Sequence, residues 1–301
     1  MISKGFADRI KAAFGPEGEF WLESLPAIIQ EKGADWSLTI QPPFKDMNYN
    51  YVAPAARADG RQVVLKIGVP NPELYTEIEA LRLFDGRGMV KLLETDLNVG
   101  AMLLERLDPG LTLFNLDDDE RATSTACHVM RELHQTSPED GTFPKISDWA
   151  KGLQRLRAEF GGGTGPFPRR MVEKAESNLN SLTSTMGEPT LLHGDLHHWN
   201  ILSSQREPWL AVDPKGLIGE PEYETGAWLR NPFPQILEQG DPVEITKRRI
   251  DQIAVELDFD RQRVLAWGVY QAVLSAWWSW KEGSGDWKHM VAIAELIAAA
   301  K

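Results

Sequence analysis

The apolar residues of this chain change their spacing once, and that change constrains the fold more than any other feature. Up to about residue 105, short runs of β-branched and apolar residues dominate. WSLTIQ (36–41), QVVLKI (62–67), residues 89–94 and GAMLLE (100–105) read as strands. Two stretches carry helical spacing instead, EFWLESLPAIIQEK (19–32) and PELYTEIEALRLF (72–84). FKDMNYNYVAPAARADG (44–60) reads as a connection that closes in a turn at Ala58-Asp59-Gly60. From about residue 115 the spacing is helical, over 118–135, 169–186, 246–257, 261–281 and 285–300. Only 189–192, 200–203 and 208–213 interrupt it with strand-like pieces. The pattern predicts an α+β chain in two parts: a strand-rich lobe over 1–105 with an N-terminal helix, and a mainly helical lobe over 106–301. The junction is expected near Leu107–Gly110.

Composition narrows the function classes. A hydrophobic fraction of 42% excludes a mostly disordered chain. The formal charge of −12 comes without a Lys/Arg cluster, which argues against a nucleic-acid partner and favours cationic partners or none, the acidic residues otherwise serving solubility. No apolar run reaches the roughly 18–20 residues a membrane helix needs. MISKGFADRIKAAFG lacks the apolar stretch and cleavage site of a signal peptide. The single cysteine, Cys127, suits a reducing cytosol, so a cytoplasmic location is expected.

The chemistry concentrates in LLHGDLHHWNIL (191–202). Asp195 lies five residues before Asn200, with His193 two residues before the Asp, the Asp-to-Asn spacing of a protein-kinase catalytic loop. Phosphoryl transfer needs a carboxylate to orient the attacking hydroxyl and accept its proton, and an amide oxygen able to ligate a hard cation. A short loop ahead of a strand can present both. WLAVDPKG (209–216) then ends an apolar strand in Asp213, placed as the metal-binding Asp of the kinase Asp-Phe-Gly motif, with Pro214 and Lys215 before Gly216. Lys66 closes the strand VVLK, and the following helix offers Glu77 or Glu79 as its acidic partner. GAMLLERL (100–107) would present the backbone around Glu105 and Leu107 to an adenine edge. GGGTGPFP (161–168) lacks the Gly-Lys-Ser/Thr of a phosphate loop and reads as a connector. His197 and His198 lack partners at ligand spacing, so supporting or packing roles are expected for both. Singly, each feature has an ordinary structural explanation; their joint order points to ATP- and Mg²⁺-dependent phosphoryl transfer.

HGDLHHWNIL followed by VDPKG resembles the aminoglycoside phosphotransferases, in the branch with streptomycin 6-phosphotransferases and hydroxyurea phosphotransferases. TEIEALRLFDGRGMVKLL (76–93), MLLERLDPG (102–110) and VDPKGLIGEPEYETGAWLRNP (212–232) are similar to that branch as well. The resemblance covers most of the chain from about residue 45. It implies a protein-kinase-like two-lobe fold, ATP and Mg²⁺ as cofactors, Asp195 as catalytic base, Asn200 and Asp213 at the metal, and Glu77 as the partner of Lys66. The chain departs from the glycine-rich pattern in the nucleotide-covering loop at about 45–60, where only Gly60 stands.

The implied substrate is an aminoglycoside, streptomycin first. A polycation wants carboxylates and aromatic faces. Residues 213–260 hold eleven Asp/Glu against five Lys/Arg, which nominates Glu220, Glu222 and Glu224, with Trp277 among the tryptophans at 277, 278, 280 and 287 as a stacking face. These tryptophans also fit a helix core, and the glutamates fit capping or structural roles. The alternatives are a kinase for hydroxyurea, a sugar or an amino alcohol, or a catalytically inactive nucleotide-binding module.

Overall fold

The computed structural model describes residues 2–45, 47–134, 143–238 and 240–301. Asp46 of the expected nucleotide loop and Gln135 of the expected helix at 118–135 lie outside the described residues. The chain divides into two compact units, Met1–Gly110 and Leu111–Lys301.

The first unit opens with helix α1 (Lys4–Asp35), longer than the stretch at 19–32. Its early turns join the later ones through Gly15, whose φ of 55° breaks the helical path directly before Pro16. A proline that opens a new helical segment loses no intrahelical bond, so Pro16 starts a second segment after the kink, and α1 is two helical segments in sequence. Strands β1 (Leu38–Ile40), β2 (Asn50–Arg57) and β3 (Gln62–Gly68) follow, then helix α2 (Pro72–Phe84), β4 (Leu92–Asp96) and β5 (Ala101–Glu105). The sheet is antiparallel in the order β1-β2-β3-β5-β4.

Strand β2 corrects the reading of 44–60 as a connection. NYVAPAAR carries Pro54 and three alanines, a weak strand signal, yet it pairs with β3 from Asn50↔Gly68 to Ala56↔Gln62. The turn at Gly60 survives, with φ of 85°. Alternation along β3 decides the unit's layout. Val63, Leu65 and Ile67 are fully buried in one cluster with Phe6, Ile10, Trp21 and Leu25 of α1. Each such side chain contributes about 1.5–3 kcal/mol on burial. Lys66 therefore points to the opposite face from the α1 cluster.

The second unit holds helices α3 (Asp119–Leu133), α4 (Ile146–Glu159) and α5 (Arg169–Ser184). Strands β6 (Thr190–Leu192), β7 (Ile201–Ser203), β8 (Trp209–Ala211) and β9 (Leu217–Gly219) come next, then α6 (Thr225–Leu229), α7 (Pro242–Leu257), α8 (Arg261–Lys281) and α9 (Trp287–Ala299). Strands β6 and β9 form one antiparallel pair, β7 and β8 another. Helix α7 starts earlier than 246 because Asp241 caps it, its carboxylate accepting from the amides of Val243 and Glu244 ahead of the Pro242 turn. Helix α8 is buried along most of its length, and α4, α5 and α9 pack around it.

Helix α4 carries apolar residues at helical spacing, Ile146, Leu153 and Leu156, but Gly152 interrupts the signal. The structure explains that glycine. A Cβ at 152 would lie 2.3 Å from Leu274 Cδ1, so its absence lets α4 approach α8.

Candidate active site

Lys66 and Glu77 meet within the first unit. Lys66 Nζ donates to Glu77 Oε1 at 2.5 Å, and the lysine is 2% exposed. Helix α2 is placed for this by its cap: the Asn71 side chain accepts from the amides of Glu73 and Leu74 at 2.8 and 3.2 Å. At the end of β5, Glu105 turns its side chain back, accepting from the Lys91 amide at 2.8 Å, while its own amide donates to the Lys91 carbonyl. Leu107 beyond it is buried.

In the second unit, β6 leads into the loop His193–Asn200 and β7 leaves it. His193 is fully buried, with Nδ1 accepting from the Asp195 amide at 3.2 Å and Nε2 donating to the Val212 carbonyl at 2.8 Å. Those two bonds require the neutral imidazole, and burial pushes its pKa down to about 4. Gly194 has φ of 84°, and a Cβ there would come within 3.2 Å of Lys215 Cβ. The Asp195 carboxylate follows, 27% exposed. Asn200 Nδ2 donates to the Asp195 carbonyl at 3.1 Å, and the Val212 amide donates to the Asn200 carbonyl at 2.9 Å, tying the loop to the end of β8. Asp213 follows that end with φ of 60° and is exposed. A short polar side chain tolerates this left-handed conformation better than most.

Burial alone would raise the Asp195 pKa. Positive charge at His197, Arg230 and Lys215 outweighs it and holds the carboxyl at about 2. Burial pushes His197 itself below its ordinary value. The lasting counter-charge in contact with Asp195 is Arg230, whose Nη2 donates to Oδ1 at 2.5 Å. His197 Nε2 stands 3.6 Å from Oδ2, beyond hydrogen-bond reach. His198 stacks on Trp228 with centroids 3.7 Å apart and serves packing.

Two of the nominated substrate carboxylates serve the interior instead. Glu224 is fully buried beneath the loop, accepting from the amides of His193 at 2.7 Å and Gly194 at 3.0 Å, and from Leu196. Burial pushes its pKa up to about 7 against the pull of those N–H groups. Glu220 is 1% exposed, and its two oxygens accept from Arg263 Nη2 at 2.7 and 2.6 Å, from Trp267 Nε1, and from the Gly187 amide. Trp277 is likewise 3% exposed, stacked on Trp280 and edge-on to Phe160 and Phe167. None of these three presents its polar or aromatic surface to a ligand. Of the nominated group, Glu222 keeps a half-buried carboxyl, which burial pushes upward.

Glu220→Gln is expected to destabilise the protein toward the lower end of the ~3–5 kcal/mol typical of breaking a buried ion pair, because Arg263 remains partly hydrated. The KM for the acceptor should stay unchanged. Denaturant unfolding and steady-state kinetics measure the two effects, and a raised KM without lost stability would return Glu220 to the substrate.

Two contributors escaped the sequence. Arg230 stands 35 residues beyond Asp195 with no motif to link them. Trp149 lies 3.8 Å from where a Gly194 Cβ would sit and packs edge-on to Trp278. Among the described residues no three His, Cys, Asp or Glu side chains gather at a metal-binding spacing.

The fold and this loop define a protein-kinase-like α+β enzyme of the small-molecule phosphotransferase class. A choline kinase from Streptococcus pneumoniae superposes with a TM-score of 0.64 at 14% identity, over 92% of this chain and 99% of that one. An aminoglycoside phosphotransferase crystallised with ADP and hygromycin B gives 0.60 at 16% identity, over 91% and 98%. The chain belongs to the aminoglycoside/hydroxyurea antibiotic resistance kinase family, which it matches over residues 36–283. It is 33% identical to a streptomycin 6-kinase of Streptomyces glaucescens over 94% of this chain and 92% of that one. It is 34% identical to a hydroxyurea phosphotransferase of Kitasatospora aureofaciens, over 94% and 82%.

Proposed function

We propose that this protein transfers the γ-phosphoryl group of ATP to a hydroxyl of streptomycin and so inactivates the antibiotic. The observation that carries the reading is the 33% identity, spread over 94% of the chain, with a streptomycin 6-kinase. A second such kinase, from Streptomyces griseus, is 30% identical over 99% of the chain.

In this reading Asp195 orients the acceptor hydroxyl and takes its proton. The hydroxyl oxygen bonds to the γ-phosphorus, the bond to the β–γ bridging oxygen breaks, and ADP leaves. Lys66, held by Glu77, binds the α- and β-phosphates, and the backbone at Glu105 and Leu107 meets the adenine edge. Asn200 and Asp213 would hold Mg²⁺, which would supply neutralising charge to the phosphates. The Asn200 amide nitrogen is committed to the Asp195 carbonyl, so its oxygen remains for the cation. Cys127 takes no part: it is buried, and burial pushes its thiol up to about 12. Among the described residues no helix is long and apolar enough to cross a membrane, and we assign the enzyme to the cytoplasm, where ATP is supplied.

Coupled ADP release with purified protein tests the reading. Streptomycin should drive turnover and hydroxyurea should not. Release with hydroxyurea alone would favour the second reading, which the 34% identity with a hydroxyurea phosphotransferase supports. Asp213→Ala should abolish turnover together with the Mg²⁺ dependence of nucleotide binding. If calorimetry shows that variant binding Mg·ATP like its parent, the metal assignment is wrong.

A further inference from the structure

Asp195 Oδ1 is already occupied. We infer that Arg230 is a positioning residue for Asp195: its guanidinium pins Oδ1, fixes the rotation of the carboxylate, and leaves Oδ2 to meet the acceptor hydroxyl. The inference rests on the reading of Asp195 as the base and adds the device that aims it.

The two residues belong to separate segments that are clamped together at several points. On one side is the catalytic loop, with His198 stacked on Trp228 at 3.7 Å and 11° between planes. On the other is the end of α6, where the Arg230 amide donates to the Gly226 carbonyl and Asn231 Nδ2 to the Ala227 carbonyl. The Asn231 carbonyl accepts from Nη1 of Arg249 at 2.7 Å, and Arg249 is fully buried and ion-paired with Asp119. Arg230 is thus delivered to the carboxylate from a rigid base.

The pair itself has the form of an aiming device rather than a folding clasp. Only Nη2 reaches the carboxylate, and Nε is buried without a hydrogen-bond partner among the described residues. An ion pair kept for stability alone gains most from bidentate geometry, which is absent here. The carboxylate stays 27% exposed, and Oδ2 has His197 at 3.6 Å, too far to use it up. An arginine is suited to this task because it stays charged at any working pH and cannot compete for the substrate proton. A lysine would bring the charge on a flexible stem, with its nitrogen not held in a rigid guanidinium plane.

The test compares wild type, R230A and R230K for ADP release with whichever acceptor wild type uses, together with melting temperature. A misaimed catalytic group costs on the order of 10²-fold in rate, so the kcat of R230A should fall by roughly that factor. The KM for ATP should move by less than about threefold. Free guanidinium at millimolar concentration should restore part of kcat in R230A, saturably, and none in D195N. R230K should fall between wild type and R230A. A kcat for R230A within about threefold of wild type overturns the inference, as does a loss that guanidinium leaves unrepaired in a variant melting like wild type. Should R230A fail to fold, R230K decides: a tenfold or greater loss of kcat at unchanged KM supports the role on the same free-energy reading, and a wild-type kcat overturns it. A crystal structure of the variant checks the geometry without any acceptor. More than one carboxylate orientation, or a shifted one, supports the role, and a single unchanged orientation overturns it. If wild type releases ADP with no acceptor, the reading of the active centre fails, while the crystallographic arm still judges the pairing.

Discussion

Replacing Asp195 by Asn is expected to leave a folded protein whose turnover falls about 10²–10⁴-fold, the range that a positioned general base contributes. The substitution keeps the side chain's shape and an oxygen for Arg230, and removes the charge and the proton acceptor. ATP affinity should change little. Because the carboxylate is 27% exposed, water can take over part of its role toward Arg230. The stability cost should therefore stay near the ~1 kcal/mol of a partly exposed ion pair. Steady-state kinetics beside nucleotide titration read both effects. Turnover within tenfold of wild type would remove Asp195 from the mechanism.

Glu224→Ala should behave differently, losing stability and activity together. The substitution leaves the buried amides of His193, Gly194 and Leu196 without their carboxylate acceptor. Each unsatisfied buried group costs about 1–3 kcal/mol, so even partial rehydration of the cavity leaves a loss of roughly 3 kcal/mol or more. At ~2–4 °C per kcal/mol for a unit of this size, the melting temperature should drop by about 6–12 °C. Activity should fall as well, because those amides set the backbone on which Asp195 stands. Thermal unfolding and kinetics on the same preparation separate this outcome from that of Asp195→Asn. A Glu224→Ala protein that melts like wild type would show that the loop keeps its shape without the carboxylate.

The contrast between Asp195 and Glu224 marks where the sequence could be read and where it could not. Asp195, Asn200 and Asp213 sit on one strand–loop–strand stretch, within 19 residues of each other. Such short chain separations limit how far apart the groups can stand, so their spacing alone is informative. The Lys66–Glu77 contact is legible for a related reason. Lys66 lies near the end of an apolar strand and Glu77 in the second turn of the next helix, leaving a choice only between Glu77 and Glu79 that the family resemblance resolves. The alternation that buries Val63, Leu65 and Ile67 on one face of β3 likewise follows from strand spacing.

Direction is not legible. Glu220, Glu222 and Glu224 look alike as an acidic cluster, yet the first and last turn inward and Glu222 does not. What separates them is distant in the chain: Arg263 and Trp267 of α8 for Glu220, and the amides after β6 for Glu224. Trp277 could face either way until Phe160, Phe167 and Trp280 close around it. Arg230 lies in the stretch 212–232 that resembles the family, yet nothing in the sequence pairs it with Asp195, because that link exists only once α6 packs beside the catalytic loop. Local spacing in a sequence reports which groups share a loop or a helix face. Which partner neutralises a charge, and whether a carboxylate meets water or buried amides, depends on contacts that form only when distant segments pack.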